Sequence, residues 1–138
     1  MVFILDMHKN TIIYNFGKRQ FYVIINEYMN NFYEDSLNKA IDHINKNLDK
    51  IIKIEDLSRE SGIAVSQIHR IFKAFTGSTI YETIRRLKLE NAAKKLASDS
   101  SITVGKAAEI AGYSSSSEFS RAFRSRFNTS PTNWRSSY

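Results

Sequence analysis

Apolar residues recur at helical spacing near the C-terminal end of the chain, in the stretch GYSSSSEFSRAFRSRF (112–127). Phe119, Phe123 and Phe127 stand four residues apart, which is the spacing of one apolar stripe on an α-helix. The residues between them are polar, with an excess of arginine. Serine caps helix N-termini because its hydroxyl accepts from the free amides there, so the serine run predicts a helix start capped by Ser114.

The same layout occurs twice in the chain. Residues 52–62 align with residues 102–112 at an offset of 50, and the pattern of apolar, Arg, Phe and basic residues that begins at Ile68 recurs at Phe119 at an offset of 51. Each copy predicts a short helix, a glycine turn and a second helix with one apolar and one basic face, which is a helix-turn-helix unit. The glycines suit the turns because a positive φ costs glycine little.

In the first unit, we expect helices over about 54–61 and 65–75, with Gly62 in the turn; in the second, the first helix covers about 104–111 and Gly112 takes the turn. The second helix of the first unit is expected to bury its apolar stripe and expose the opposite face. The buried set is Ile68, Ile71, Phe72 and Phe75, and the exposed set is Gln67, His69, Arg70 and Lys73.

Residues 78–97, between the two units, contain no Gly or Pro and predict one long helix capped by Ser78 or Thr79. At about 100° per residue, its apolar residues form two groups on opposite sides, namely Ile80, Ile84 and Leu87 in the first half and Leu89, Ala92, Ala93 and Leu96 in the second. A helix that served one core would keep one stripe. We therefore expect its first half to pack on unit one and its second half on unit two. About nineteen residues span about 28 Å, close to the length of about 34 Å of one DNA turn.

Helices are expected on both sides of this pair. An amphipathic helix opens at Asp35 or Ser36, and Ser130 followed by Pro131 predicts a capped helix that leads into Trp134.

The first 35 residues follow another pattern. Residues 11–16 and 20–25 flank the three-residue loop 17–19, which predicts a β-hairpin; the alternative is a helix over about 21–32. Eight of the seventeen aromatic residues lie in this extension, and an isolated hairpin is marginally stable. We expect it to dock on the helical domain or on another chain.

Charge narrows the class of partner. Of the 20 Lys/Arg and 14 Asp/Glu, residues 1–50 hold six and six, so residues 51–138 hold fourteen and eight, and the net charge of +6 lies in the C-terminal part. A basic domain favours an anionic partner such as nucleic acid.

The chain has no cysteine, which excludes thiolate chemistry and cysteine-ligated zinc. The histidines show no metal-ligand spacing, and no segment reaches the length of a membrane span. We expect a cytoplasmic protein without cofactor, metal or catalytic residues, and no membrane partner.

Residues 36–135, roughly three-quarters of the chain, resemble the DNA-binding domain of the AraC/XylS family of bacterial transcription regulators. The resemblance rests on an ordered set of motifs: I-x-D-L-S-x-x-S-G (54–62), S-x-I-H-R-I-F-K (66–73), T-G-S-T (76–79), RLKLENAAKKL (86–96), A-x-x-x-G-Y-S-S (108–115), F-S-R-A-F-R-x-x-F (119–127) and S-P-x-x-W-R (130–135). It implies an all-α, seven-helix domain of two helix-turn-helix units joined by a long linker helix. With the N-terminal extension of residues 1–35, the expected organisation is a first unit over 36–77, the linker helix over 78–97 and a second unit over 98–135.

The resemblance also implies which residues read DNA. In the first unit they are Ser66, Gln67, His69 and Arg70, and in the second Ser116, Ser117, Glu118, Ser120 and Arg121. Lys73 and Arg124, on the same polar faces, complete the candidate DNA-binding set. Arginine can read guanine, glutamine can read adenine, and glutamate can accept from cytosine. The second unit presents mostly short serines, so we expect it to add more affinity than base discrimination.

Four positions depart from the family pattern. Ala64 and Val65 stand where the family often has Ser and Pro, and Lys53 replaces a capping hydroxyl. The helices that follow Ala64 and Lys53 are therefore expected to lack a side-chain cap. Asn128 stands where glycine is customary, and asparagine tolerates the left-handed backbone region.

The expected function is sequence-specific binding of double-stranded DNA by a transcription regulator, an activator that engages RNA polymerase. A monomer carries both units and suffices for binding; a dimer through the N-terminal extension is the alternative. Since the extension is too short for a ligand-sensing domain, we expect control by abundance or by a partner protein. The rival function is an antagonist that uses the same fold to sequester a regulator or a polymerase subunit. A DNA-repair activity would need a reactive cysteine, which the chain lacks.

Overall fold

The computed structural model of the chain describes residues 2–6, 11–16, 19–22 and 25–138, with side chains from residue 31 onward. Across these residues, three strands precede seven helices. They are β1 Val2–Asp6, β2 Thr11–Phe16, β3 Arg19–Tyr22, α1 Ile25–Lys46, α2 Ile54–Ser61, α3 Val65–Thr76, α4 Ile80–Ser98, α5 Val104–Ile110, α6 Ser116–Phe127 and α7 Pro131–Ser136. The prediction of a seven-helix domain is confirmed. No helix in the described part of the chain has both the length and the apolar composition to cross a membrane.

The N-terminal extension contains an antiparallel sheet in the order β1-β2-β3. The predicted hairpin is present as β2 and β3, which pair from Ile13 with Tyr22 to Phe16 with Arg19. Its second strand is shorter than expected, and β1 pairs along the other edge of β2. The side chains of this sheet lie outside the described residues, so its docking surface remains a prediction.

Helix α1 begins at Ile25, and the predicted start at Asp35 or Ser36 is wrong. Asp35 instead forms an ion pair with Lys39 one turn later, at 2.9 Å, and Ser36 is buried. A residue that favours a cap ends a helix only if the preceding residues cannot continue it, and residues 25–34 contain neither Gly nor Pro. The helix therefore crosses the expected boundary at residue 35.

The linker helix α4 contributes to two separate hydrophobic cores. The first core joins α1, α2 and α3, and its buried residues are Leu37, Ala40, Ile44, Leu57, Ile63, Ile68, Ile71, Phe72 and Ile80. The second joins α5 and α6, and consists of Leu89, Ala92, Ala93, Leu96, Ala107, Ala108, Ala111, Phe119 and Phe123. Ile84 and Leu87 pack against the first core. The predicted change of buried face midway along α4 is confirmed.

One core prediction fails. Phe75 is 42% exposed, although it shares the apolar stripe of α3. It lies in the last turn of α3, where its ring lies 6.2 Å from the ring of Tyr33.

Helix caps follow the sequence closely. The side chains of Thr79, Thr103, Ser115 and Ser130 each accept from the amide three residues later. The cap of α6 is thus Ser115 rather than the predicted Ser114. As expected, Lys53 and Ala64 provide no side-chain cap; there the third helical amide bonds instead to the carbonyl of the N-cap residue itself.

The turns have the backbone conformations that their residues allow. Gly62 and Gly112 have φ of 72° and 80°, where a side chain would be strained. Asn128 ends α6 at φ 55° and ψ 24°, as expected from its tolerance of the left-handed region.

Candidate nucleic-acid interface

Helix α3 presents a polar face from its first turn to its last. Because Ile68, Ile71 and Phe72 are buried in the first core, the residues between them point outward. All five candidates on this helix are exposed, namely Ser66, Gln67, His69, Arg70 and Lys73. The face therefore offers hydroxyl, amide, imidazole and cationic groups to an approaching partner.

His69 is not an isolated surface group. Its ring lies 5.5 Å from that of Tyr81 at an interplanar angle of 32°. Tyr81 is on the first turn of α4 and is 64% exposed, so an aromatic pair lies at the edge of the α3 face. Tyr81 was missed at the level of sequence because it belongs to a different helix, and only the crossing of α3 and α4 brings the two rings together.

Helix α6 presents the second face. Phe119 and Phe123 are fully buried in the second core, and five candidates are exposed on the other side of the helix, namely Ser116, Ser117, Glu118, Arg121 and Arg124. Ser120 is half-buried. The structure thus brings together all the candidates on α6 but leaves Ser120 with less room to reach a partner than its neighbours have.

The start of α6 is held by hydrogen bonds. The amide of Glu118 donates to the Ser115 hydroxyl at 3.2 Å, and the Ser114 hydroxyl donates to the Glu118 carboxylate at 2.6 Å. The carboxylate to which the family resemblance assigns base reading therefore already has an internal donor. A base would have to share or displace it.

The candidate cations are available for external anions. Arg70, Lys73, Arg121 and Arg124 form no ion pair with another described side chain. Arg126 differs, because its guanidinium forms an ion pair with Glu90 on α4 at 2.9 Å and lies over the ring of Phe127. The structure thus uses Arg126 to join α6 to α4.

Helix α4 is anchored at both ends. At its N-terminus, Thr79 and Glu82 form a reciprocal capping box, with bonds of 2.8 and 3.1 Å. Hydrogen bonds from the backbone and hydroxyl of Thr79 hold the pKa of the Glu82 carboxyl below its usual value. In its second half, the indole of Trp134 donates to the carbonyl of Ala93 at 3.0 Å. The capping box therefore closes the first turn of α4, and the indole bond joins its second half to α7.

A further group at the junction was not found from the sequence. Arg85, in the first half of α4, donates from Nε to the hydroxyl of Tyr113 at 3.3 Å. Tyr113 lies just after the glycine turn of the second unit. Arg85 falls between the two apolar groups of α4, so the helical pattern predicts only that it is polar. No local pattern predicts its contact with Tyr113, which lies 28 positions away.

Sequence relatives are regulators. A family model described as a helix-turn-helix domain matches residues 57–137. PqrA, a probable transcription factor of Proteus vulgaris, is 37% identical over 84 residues, which cover 61% of this chain and 68% of PqrA. RhaR of Mannheimia succiniciproducens, an HTH-type transcriptional activator, is 33% identical over 111 residues, which cover 79% of this chain but only 40% of RhaR.

Solved structures share the fold. A probable AraC family regulator from Rhodopseudomonas palustris superposes with a TM-score of 0.65 at 25% identity, over 73% of this chain and 94% of that one. The DNA-binding domain of AdpA superposes with a TM-score of 0.64 at 21% identity, over 75% of this chain and 93% of that domain. With the paired units, the shared linker helix and the matched domain, the chain belongs to the AraC/XylS family of helix-turn-helix transcription regulators.

Proposed function

We propose that the protein binds double-stranded DNA sequence-specifically by inserting α3 and α6 into successive major grooves, and that it activates transcription. The observation that carries the proposal is the pair of exposed polar faces, whose cations form no ion pair with another described side chain; each face belongs to a helix that packs on its own core. Such cations are suited to phosphate contacts, which supply most of the salt-dependent affinity.

The dimensions of α4 support binding in neighbouring grooves. The helix has 19 residues, so it is about 28 Å long, whereas major grooves on one face of DNA recur at about 34 Å. A domain of this fold, that of AdpA, was solved in complex with a target DNA. A single chain carries both faces, so a monomer suffices for binding, and dimerisation through the N-terminal extension would add a second pair.

Individual roles follow from side-chain chemistry. Arg70 and Arg121 are proposed to read guanine with two hydrogen bonds each, and Gln67 to read adenine. Lys73 and Arg124 are proposed to contact phosphate. The serines of α6 and the internally bonded Glu118 reach less far, so the second unit contributes more to affinity than to base discrimination.

Activation is proposed from the activator RhaR, which is similar to most of this chain, with RNA polymerase as the second partner. A protein-binding antagonist would select no DNA motif.

The test begins with selection of bound sequences from random DNA by the full chain. Arg70→Ala is expected to weaken binding to the selected site by about 1 to 3 kcal/mol and to relax selection at one base pair. Lys73→Ala is expected to weaken binding to every sequence about equally and to reduce the salt dependence. Arg59→Ala is the matched control, since it removes an exposed arginine of α2 that is paired with Asp56.

The outcomes separate the alternatives. An enriched motif of two parts about one helical turn apart supports the proposal. Absence of any motif would refute sequence-specific binding and favour the antagonist. Equal losses of specificity when each half of the motif is altered would refute the unequal roles of the two units.

A further inference from the structure

We infer that Arg85 is a positioning residue that braces the two units against each other and thereby sets the spacing of DNA half-sites that the protein prefers. This inference deepens the proposed function and rests on it for its DNA consequence. The geometric part concerns the free protein alone.

Arg85 contacts Tyr113 in two ways, through a hydrogen bond to the hydroxyl and a cation–π interaction with the ring. The Nε of Arg85 donates to the Tyr113 hydroxyl at 3.3 Å, and its guanidinium carbon lies 5.4 Å from the centroid of the same ring, within the range of a cation–π interaction. The hydrogen bond to Tyr113 raises the pKa of the Arg85 guanidinium, and the Glu118 carboxylate adds to the rise. An arginine guanidinium is charged at neutral pH, so both contacts with the Tyr113 ring are available there.

The two ends of the brace belong to different units. Arg85 lies beside Ile84 and Leu87, which pack on the first core. Tyr113 packs against the second core, with its ring 5.7 Å from that of the buried Phe119. The contact therefore ties the first-unit half of α4 to the turn that leads into α6.

A brace matters here because of the change of face in α4. Between Leu87 and Leu89 the helix leaves one core and enters the other, so at that point each core supports only one side. The other described side-chain hydrogen bonds from the second unit to α4 reach its second half, at Glu90 and Ala93. Bending at the midpoint would change the angle between α3 and α6, and the bond from Arg85 spans that midpoint.

The free protein can be tested directly. The chain contains no cysteine, so Ala74→Cys and Ser125→Cys, at exposed positions of α3 and α6, carry the only spin labels. Double electron-electron resonance then gives the distribution of distances between the two helices. Arg85→Gln is expected to broaden this distribution. Arg86→Gln removes the same charge from the next residue, which is also exposed, and is expected to leave the distribution as in the parent.

Tyr113→Phe keeps the ring but removes the hydroxyl, and an intermediate broadening is expected. Far-ultraviolet circular dichroism and the thermal unfolding midpoint of each variant verify that the fold is retained. An unchanged distribution in Arg85→Gln, or equal broadening in Arg85→Gln and Arg86→Gln, would overturn the inference.

The effect on DNA binding is measured with the selected motif after one base pair has been inserted or removed between its halves. Loss of one typical intramolecular hydrogen bond, whose net contribution is about 1 kcal/mol, predicts that Arg85→Gln reduces the discrimination against altered spacing about fivefold. Unchanged discrimination would overturn the role in spacing. Failure to select any motif would count against the proposed function, whereas the distance distribution would still decide whether Arg85 braces the units.

Discussion

Replacement of Ala64 by serine is expected to stabilise helix α3. Ala64 precedes α3 with φ −58° and ψ 143° and has no side chain to accept a hydrogen bond. The equivalent residue before α6, Ser115, accepts from the Glu118 amide at 3.2 Å. The backbone at Ala64 is extended in ψ as it is at the capped helices, so a serine hydroxyl can reach the Gln67 amide without a change of the main chain.

The expected gain is smaller than a full cap. A cap is worth about 1 kcal/mol on average, but the Gln67 amide already donates to the Ala64 carbonyl at 2.9 Å. The serine would replace this bond with a better one rather than satisfy a free donor. We therefore expect Ala64→Ser to raise the free energy of unfolding by about 0.5 to 1 kcal/mol.

The measurement is urea unfolding followed by far-ultraviolet circular dichroism. Ser115→Ala is the matched reverse change and should lower the free energy of unfolding by about 1 kcal/mol. Ala64→Asp should stabilise the helix further through its dipole but weaken DNA binding, because it adds a negative charge beside the α3 face. A loss in Ser115→Ala together with no gain in Ala64→Ser would refute the reasoning, since it would mean that the existing backbone bond serves as well as a cap.

Three further changes test other parts of the structure. Phe123→Ala should lower the free energy of unfolding by about 3 to 5 kcal/mol, because its side chain is fully buried; fluorescence of the single tryptophan, Trp134, whose ring lies 5.8 Å from Phe123, should report the loss, and an unchanged midpoint would refute the second core. The lowered pKa of Glu82 means that its capping contribution is present above the unfolded pKa and is lost as pH falls through the folded pKa. Glu82→Gln should therefore reduce the loss of stability between neutral and acidic pH, and an identical pH profile would contradict the capping box. Arg126→Ala should change base preference little, because its guanidinium is paired within the protein; a shift at one base pair in the selected motif would contradict this.

The local spacing of apolar residues predicted most of the fold. The stripe of Phe119 and Phe123 fixed the helix and its buried face, because side chains four apart lie on one side of any α-helix. The change of buried face along α4 could be predicted for the same reason, and it indicated two separate cores. Gly62 and Gly112 marked the turns, because few other residues adopt a positive φ without strain.

Capping preference did not predict the helix start where several neighbouring residues were equally suitable as caps. Ser114 and Ser115 are alike as caps, and the choice between them depended on where α6 begins once its phenylalanines are in the core. Asp35 and Ser36 resemble a helix start, yet α1 continues through them from Ile25. The sequence therefore defined which helices exist more reliably than where they start.

Only the tertiary structure decided which side chains from distant parts of the chain meet. The pairs of Arg85 with Tyr113 and of His69 with Tyr81 depend on the crossing of separate helices, which no single helical period encodes. Amphipathic spacing by itself determined the two outward faces and their charge, because it acts within one helix. Their anchoring to each other arises from contacts between helices and became visible only in the folded chain.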